Sequence, residues 1–321
     1  QTFATQANYS HAEGLFSQAK AIGSHVEGSG SVTRGKVSHA EGIGTNTVGE
    51  GSHAEGINTT ANGAYSHAEG ENTLAFGSGS HAEGFETYAS GNFAHSEGFQ
   101  TSASATYAHA EGNETKALAQ GAHAEGRNTH ANVLWAHAEG FKTSASGIYA
   151  HAEGRLTLAH AQQAHAEGFD TTASSTGAHT EGYNTKVLSS TGTHLPSDDG
   201  SESSYSHAEG YQTLVISDLG IGITAGHAEG FKTKVNGNAS HAEGVRTLAR
   251  GSGSHAEGSY SVAEDYYTHA EGFYSTASAS GSHAEGFKTF ASASFSHAEG
   301  DQTITLGISS HAEGVKTKTG I

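Results

Sequence analysis

The chain has 321 residues, with 45 glycines, one proline, one tryptophan and neither cysteine nor methionine. So few bulky residues argue against an ordinary globular core, and the lack of cysteine excludes disulfides and thiolate metal sites. The formal charge is −18 with only 15 Lys and Arg residues and no basic stripe, which argues against nucleic-acid binding. No apolar run approaches the ~20 residues of a membrane-spanning helix, so membrane insertion is not expected.

One short motif organises the sequence. His-Ala-Glu-Gly, or a one-residue variant of it, occurs twenty-one times, and its histidine recurs every fourteen residues from His11 to His179 and from His227 to His311. A fixed short period predicts one small unit that is copied and stacked as a solenoid. Repeat positions are numbered here from the motif histidine, which is position one.

The repeat reads as two short strands joined by Gly- and Ser-containing corners. Side chains alternate on a strand, so the small residues at positions fourteen, two and four are expected on one face, and the His and Glu on the other. Thr at position seven and Ala at position nine are expected to share the inner face of the second strand. A glycine in every repeat makes a helix costly, at about 1 kcal/mol for each glycine. The expected fold is all-β, a parallel β-roll of about twenty-two coils that forms one continuous domain over 1–321.

The pattern resembles a known family. Ser52-His53-Ala54-Glu55-Gly56, followed by Thr59 and Ala61, is similar to the head repeat of YadA-type trimeric adhesins and to the Ser-His-Ala-Glu-Gly arrays of phage tail-fibre and appendage proteins. The resemblance implies a left-handed β-roll that packs side by side as a homotrimer. It also implies an extracellular location, on a bacterial cell surface or on a virion tail or appendage. The departure lies at the two positions where the adhesins have Val and Ile and this chain has His and Glu.

These histidines and glutamates are the candidate trimer seam. Rows of glutamates about 4.8 Å apart would repel one another, and imidazoles beside them relieve that repulsion. A structural hydrogen-bond and ion-pair network between subunits is the main interpretation, and a divalent metal held by the ladder is the alternative. The candidate seam residues are His53, Glu55, His67, Glu69, His81, Glu83, His109, Glu111, His137, Glu139, His151, Glu153, His241, Glu243, His283 and Glu285.

Aromatic residues recur at two corner positions, where they are expected to cover strand ends and fill gaps between subunits, with a ligand-binding face as the alternative. At position five they are Phe85, Phe99, Phe141, Phe169, Tyr183, Tyr211, Phe231, Phe273 and Phe287. At position thirteen they are Tyr65, Phe93, Tyr107, Trp135, Tyr149, Tyr205, Tyr267 and Phe295.

The period breaks twice, which predicts irregular coils or loop insertions at 189–206 and 216–226. Insertions in solenoids form loops, and loops carry binding more often than scaffolds do; tolerated drift is the alternative to receptor contact. The candidate receptor-contacting residues are Leu195, Pro196, Asp198, Asp199, Glu202, Ile216, Asp218, Leu219 and Ile221.

The motif has no unique copy and therefore does not look like an active site, so no enzyme activity and no cofactor are expected. Glu264-Asp265 with Tyr266-Tyr267 is the one local carboxylate cluster that a polysaccharide-degrading enzyme could use. The predicted function is a structural or adhesive fibre segment, a rigid trimeric shaft that displays loops to a host-surface glycan or protein. The alternatives are a pH- or metal-responsive binding module and a self-stacking extracellular filament subunit.

Overall fold

A computed structural model describes residues 7–188, 205–216 and 225–320. The described residues form strands and turns and contain no helix, and so no helix that could cross a membrane. The chain divides into two compact units, Gln1–Arg155 and Leu156–Ile321. Each unit is a parallel β-solenoid with about fourteen residues per turn, and together they hold about twenty coils. The predicted all-β parallel roll is confirmed, and the single continuous domain stays a prediction.

Each coil begins with a strand that carries the motif, called here the motif strand. In the first unit these strands are His11–Ala12, His25–Ser29, His39–Ile43, His53–Ile57, His67–Glu71, His81–Phe85, His95–Phe99, His109–Asn113, His123–Arg127, His137–Phe141 and His151–Arg155. In the second unit they are His165–Phe169, His179–Tyr183, His207–Tyr211, His227–Phe231, His241–Val245, His255–Ser259, His269–Phe273, His283–Phe287, His297–Asp301 and His311–Val315.

A shorter strand follows on the other side of each coil. In the first unit the short strands are Gln18–Ala19, Val32–Thr33, Asn46–Thr47, Thr60–Ala61, Leu74–Ala75, Tyr88–Ala89, Ser102–Ala103, Lys116–Ala117, His130–Ala131 and Ser144–Ala145. In the second unit they are Leu158–Ala159, Thr172–Ala173, Lys186–Leu188, Leu214–Ile216, Lys234–Val235, Leu248–Ala249, Val262–Ala263, Thr276–Ala277, Phe290–Ala291, Ile304–Thr305 and Lys318–Thr319.

Strands pair in parallel with the same strand of the next coil, and each residue faces the residue fourteen positions away. His53 pairs with His67, and Glu55 with Glu69. The register survives both breaks in the period, because His179 pairs directly with His207 and His207 with His227. The motif strands on the two sides of each break are therefore direct neighbours in the sheet.

The interior of the solenoid is narrow, as the small inner residues predict. The motif Ala, the Thr or Ser at position seven and the Ala at position nine are fully buried in nearly every described coil, and no described side chain larger than valine is fully enclosed. The serine before the motif histidine is buried as well, and its hydroxyl donates to the carbonyl oxygen three residues earlier, as in Ser52 to Gly49 at 2.7 Å. Because the inner space is filled by methyl and hydroxyl groups, a larger side chain has no room there.

The motif glycine serves a different purpose from the one its alternation predicts. Gly98 has a φ of +114°, and a Cβ added there would lie 2.1 Å from the carbonyl oxygen of Gly112. The close approach runs along the stack, toward the next coil, and not into the interior. Glycine is required because only it combines this φ with contact between the backbones of successive coils.

Two further corners use left-handed backbone, and in many coils the residue there is not glycine. At position six Asn58 has a φ of +54°, and at position thirteen Tyr65 has a φ of +58°. The N–H of Asn58 donates to the carbonyl oxygen of Ile43 at 2.8 Å, and that of Tyr65 to Glu50 at 2.7 Å. These bonds to the preceding coil hold a conformation that is unfavourable for an isolated residue.

Candidate functional site

The outward side of the motif strands carries three parallel rows of residues: the motif His, the motif Glu and the residue after the motif Gly. We call this surface the ladder face; each unit has one. All of the predicted seam residues lie on it, with His beside His and Glu beside Glu in successive coils. The alternation of side chains therefore places these groups together as the sequence predicts.

The imidazoles form a stack along the ladder face. The ring centroids of His109 and His123 lie 4.6 Å apart with an angle of 3° between the planes, and those of His123 and His137 are equally close. Similar spacings hold through most of each unit, with a few tilted rings. Such close stacking suits neutral imidazoles, because protonated rings at this distance would repel one another.

Most ladder histidines point Nε2 at the glutamate of their own coil. The Nε2–Oε distance is 2.8 Å between His25 and Glu27 and 3.6 Å between His137 and Glu139. At 3.6 Å the contact is too long for a good hydrogen bond, and the Nε2 atom of His137 is enclosed without a hydrogen-bond partner among the described residues. The carboxylates therefore keep acceptor capacity that groups outside the chain can use.

The ladder face is partly open in the single chain. About a third of the His123 side chain (33%) and 45% of the Glu125 side chain are exposed. Neighbouring coils show similar values, and the face has no covering element in the described part of the chain. A surface that is this regular and half-open is available for contact with another surface, and its burial between sister chains stays a prediction.

Burial lowers the pKa of several ladder histidines. Desolvation is the largest cause, and the charge of neighbouring histidines adds to it, while the nearby glutamates act in the opposite direction. The pKa is lowered in His39, His67, His123, His179, His241 and His283. These rings are therefore neutral at pH 7, in agreement with their stacking.

A metal ion fits this arrangement poorly. His25, Glu27 and His39 offer ligand atoms within 4.8 Å of one another, and so do His283, Glu285 and His297. However, the rings of His25 and His39 lie nearly parallel, at 13° and 4.8 Å. Nitrogen ligands bind zinc at about 2.0–2.1 Å along the in-plane lone pair, and stacked rings direct their lone pairs side by side instead of toward one point. A metal would require these rings to turn out of the stack.

The third row of the ladder face contains stacked aromatic rings at position five. Phe85 and Phe99 stack at 5.2 Å, and Phe273 and Phe287 at 5.5 Å. With about 40% of Phe99 exposed, these rings leave apolar edges on the surface. These rings form an apolar strip, called here the aromatic margin, beside the rows of His and Glu.

Six of the eight aromatic residues at position thirteen cover a glycine of the preceding coil. The ring of Tyr65 lies where a Cβ on Gly51 of the preceding coil would be, at 2.8 Å from that point, and Phe93 lies over Gly79 in the same way. The sequence signal for this contact is a glycine at position thirteen one coil before an aromatic residue. Tyr65 remains 69% exposed, so the row is also an apolar strip on the surface.

Most of the predicted receptor-contacting residues lie outside the described residues, namely Leu195, Pro196, Asp198, Asp199, Glu202, Asp218, Leu219 and Ile221. Ile216 is described, and it ends the strand Leu214–Ile216 opposite Leu188.

The candidate carboxylate cluster is held in local contacts. Glu264 lies 3.3 Å from Arg250, and Asp265 Oδ1 accepts a hydrogen bond from the N–H of Tyr266 at 2.7 Å. These are ordinary contacts of a turn and of a surface ion pair, and they do not require a catalytic role.

No protein-family model matches the sequence, and a search of curated proteins finds no match.

Proposed function

We propose that this chain is the shaft-forming segment of an extracellular fibre, on a bacterial surface or on a virion. In this proposal the solenoid is a left-handed β-roll, three copies pack side by side along their ladder faces, and the insertions at 189–206 and 216–226 are displayed to a receptor. The role is mechanical and adhesive, without catalysis. The observation that carries the proposal is the ladder face, which repeats in register, is half-open and keeps unused hydrogen-bonding capacity.

The ladder face has the properties of a contact between copies. A surface that faced only water would not need the same His and Glu in every coil, because exposed positions tolerate substitution. A like face on a second copy supplies donors for the carboxylates at the same spacing of about 4.8 Å. Each exposed polar contact contributes only about 0.2–1 kcal/mol. Ten coils in one unit multiply that small term into several kcal/mol, and the aromatic margin adds apolar burial.

Molar mass in solution tests the proposal. Light scattering of the full chain at neutral pH is expected to give three times the chain mass of 32.7 kDa. Replacing Glu111 and Glu139 by Lys puts two cations into the ladder face and is expected to shift the mass toward one chain. The matched control replaces Glu86 and Glu114, which lie at the position-six corner, and is expected to keep the wild-type mass. A wild-type chain that runs at its monomer mass at micromolar concentration would refute the shaft.

A pH-responsive module is the second candidate, and the lowered pKa of six ladder histidines favours it. Protonation in acid would place positive charges about 4.8 Å apart along the contact and loosen it. The same light-scattering measurement at pH 4.5 distinguishes the two. A permanent shaft keeps its mass, whereas a responsive module dissociates. Masses far above three chains would instead indicate a self-stacking filament.

A further inference from the structure

One corner of the second unit departs from the acidic character of the chain. Position six in the seven coils from His227 to His311 holds four cations, two tyrosines, one glutamine and no acidic residue. We call this row the basic corner; its members are Lys232, Arg246, Tyr260, Tyr274, Lys288, Gln302 and Lys316. Such a concentration is unusual in a chain of formal charge −18, and it differs from position six of the preceding coils, where Glu86, Glu114 and Asp170 occur.

The backbone presents these side chains in a fixed row. Arg246, Tyr260 and Lys288 all have a φ between 55° and 60°. The N–H of Arg246 donates to the carbonyl oxygen of Phe231 at 2.7 Å, and the N–H of Lys288 donates to Phe273 at 2.8 Å. The row is therefore preorganised, with a spacing of about 4.8 Å between coils, and a ligand would pay little ordering entropy to use it.

Three of the four cations rest on aromatic rings, and none of the four has a carboxylate partner among the described residues. Lys232 Nζ lies 5.2 Å from the ring centroid of Phe231, and Lys288 Nζ lies 5.0 Å from that of Phe287. Arg246 lies over the ring of Tyr260 and donates to its hydroxyl oxygen at 2.7 Å. All three cations are exposed. They are free to bind an anion while their aliphatic stems stay packed.

The rings between the cations favour a ligand that binds through its negative charges over one that binds by stacking of planar bases. Tyr260 and Tyr274 stack at 4.6 Å, and Phe273 and Phe287 stack at 5.5 Å. Each ring covers one face of its partner, and Arg246 lies over the ring of Tyr260. Aromatic edges carry partial positive charge. Nucleic-acid bases bind to ring faces, and the stacking leaves fewer faces for that mode.

We propose that the basic corner binds an acidic polysaccharide that lies along the coils of the second unit. An open, linear row of cations without a concave pocket suits an extended polymer with repeated carboxylates better than a small molecule. The proposal rests on the proposed function, because the motif glutamates of the same coils lie on the adjacent ladder face and would oppose an anion unless sister chains cover them. With the ladder face covered, the remaining charge of residues 225–320 is positive, seven cations against Glu264, Asp265 and Asp301.

Binding of the full chain to polygalacturonate tests the inference, with dextran as the uncharged probe. Replacing Lys232, Arg246 and Lys288 together by Gln is expected to weaken polygalacturonate binding about tenfold, since each exposed charge contact contributes about twofold to fivefold. The matched control makes the same charge change elsewhere by replacing Lys20, Lys36 and Lys116, and it is expected to change binding less than about twofold.

Several outcomes would overturn the proposal. These are no binding of polygalacturonate, equal binding of dextran, equal weakening by both sets of substitutions, or tighter binding of oligothymidylate or polyglutamate. Light scattering of the same samples measures their molar mass and so tests the proposed function separately. A trimer that does not bind polygalacturonate refutes the basic corner alone, whereas a monomer refutes the shaft.

Discussion

Substitution of one motif glycine tests how the coils stack. Gly98→Ala places a methyl group 2.1 Å from the carbonyl oxygen of Gly112, on a backbone with a φ of +114°. The backbone strain costs about 1–3 kcal/mol. Because the clash is with backbone, the two coils must separate by about 1 Å, which weakens at least two ladder hydrogen bonds at about 1 kcal/mol each. We expect the free energy of unfolding to fall by about 3–5 kcal/mol.

Gly30→Ala is the matched control for the strain alone. Gly30 also has a positive φ, of +70°, but nothing lies within 4 Å of a Cβ added there. Its substitution is expected to cost about 1–2 kcal/mol. Urea unfolding followed by far-ultraviolet circular dichroism measures both variants. Equal losses in the two would show that the axial contact between glycines does not limit the stacking, and the explanation of the invariant glycine would be refuted.

Three further predictions concern the ladder face and the interior. Histidines with a lowered pKa bind fewer protons in the folded state, so their stabilising effect is present above their ordinary pKa of about 6.5 and is lost as the pH falls below it. Tm is therefore expected to fall between pH 8 and pH 4.5, and identical melting curves would contradict this. Thr129→Val removes a buried hydroxyl that has no hydrogen-bond partner among the described residues, and it should raise the free energy of unfolding by about 1 kcal/mol. Thr47→Val removes a hydroxyl that donates to Ser38 at 2.9 Å, and it should lower the free energy of unfolding by a similar amount. Ala138→Leu should lower the free energy of unfolding, measured by calorimetry, by about 1–3 kcal/mol or more. Ala145→Val should lower it less, because other coils hold valine at that position. A tolerated leucine would mean that the interior is wider than described.

Much of the fold can be predicted from the sequence because its determinants are local. The period of fourteen sets one coil, and alternation along a strand separates the buried alanines and threonines from the outward His and Glu. Repetition then places His53 beside His67 without any knowledge of the third dimension. The ladder face could be predicted because the fourteen-residue period and the alternation of side chains are both visible within the sequence of one short strand and its repeats.

Other features depend on the backbone of the neighbouring coil, and the tertiary structure alone decided them. The role of Gly98 comes from the carbonyl oxygen of Gly112, and the position of Tyr65 from the absence of a side chain on Gly51. The direct pairing of His179 with His207 makes neighbours of two motif strands that lie two periods apart in the sequence. Each of these contacts joins residues that are fourteen or more positions apart. The sequence of one repeat does not show how closely the backbones of neighbouring coils approach, so it could not predict them.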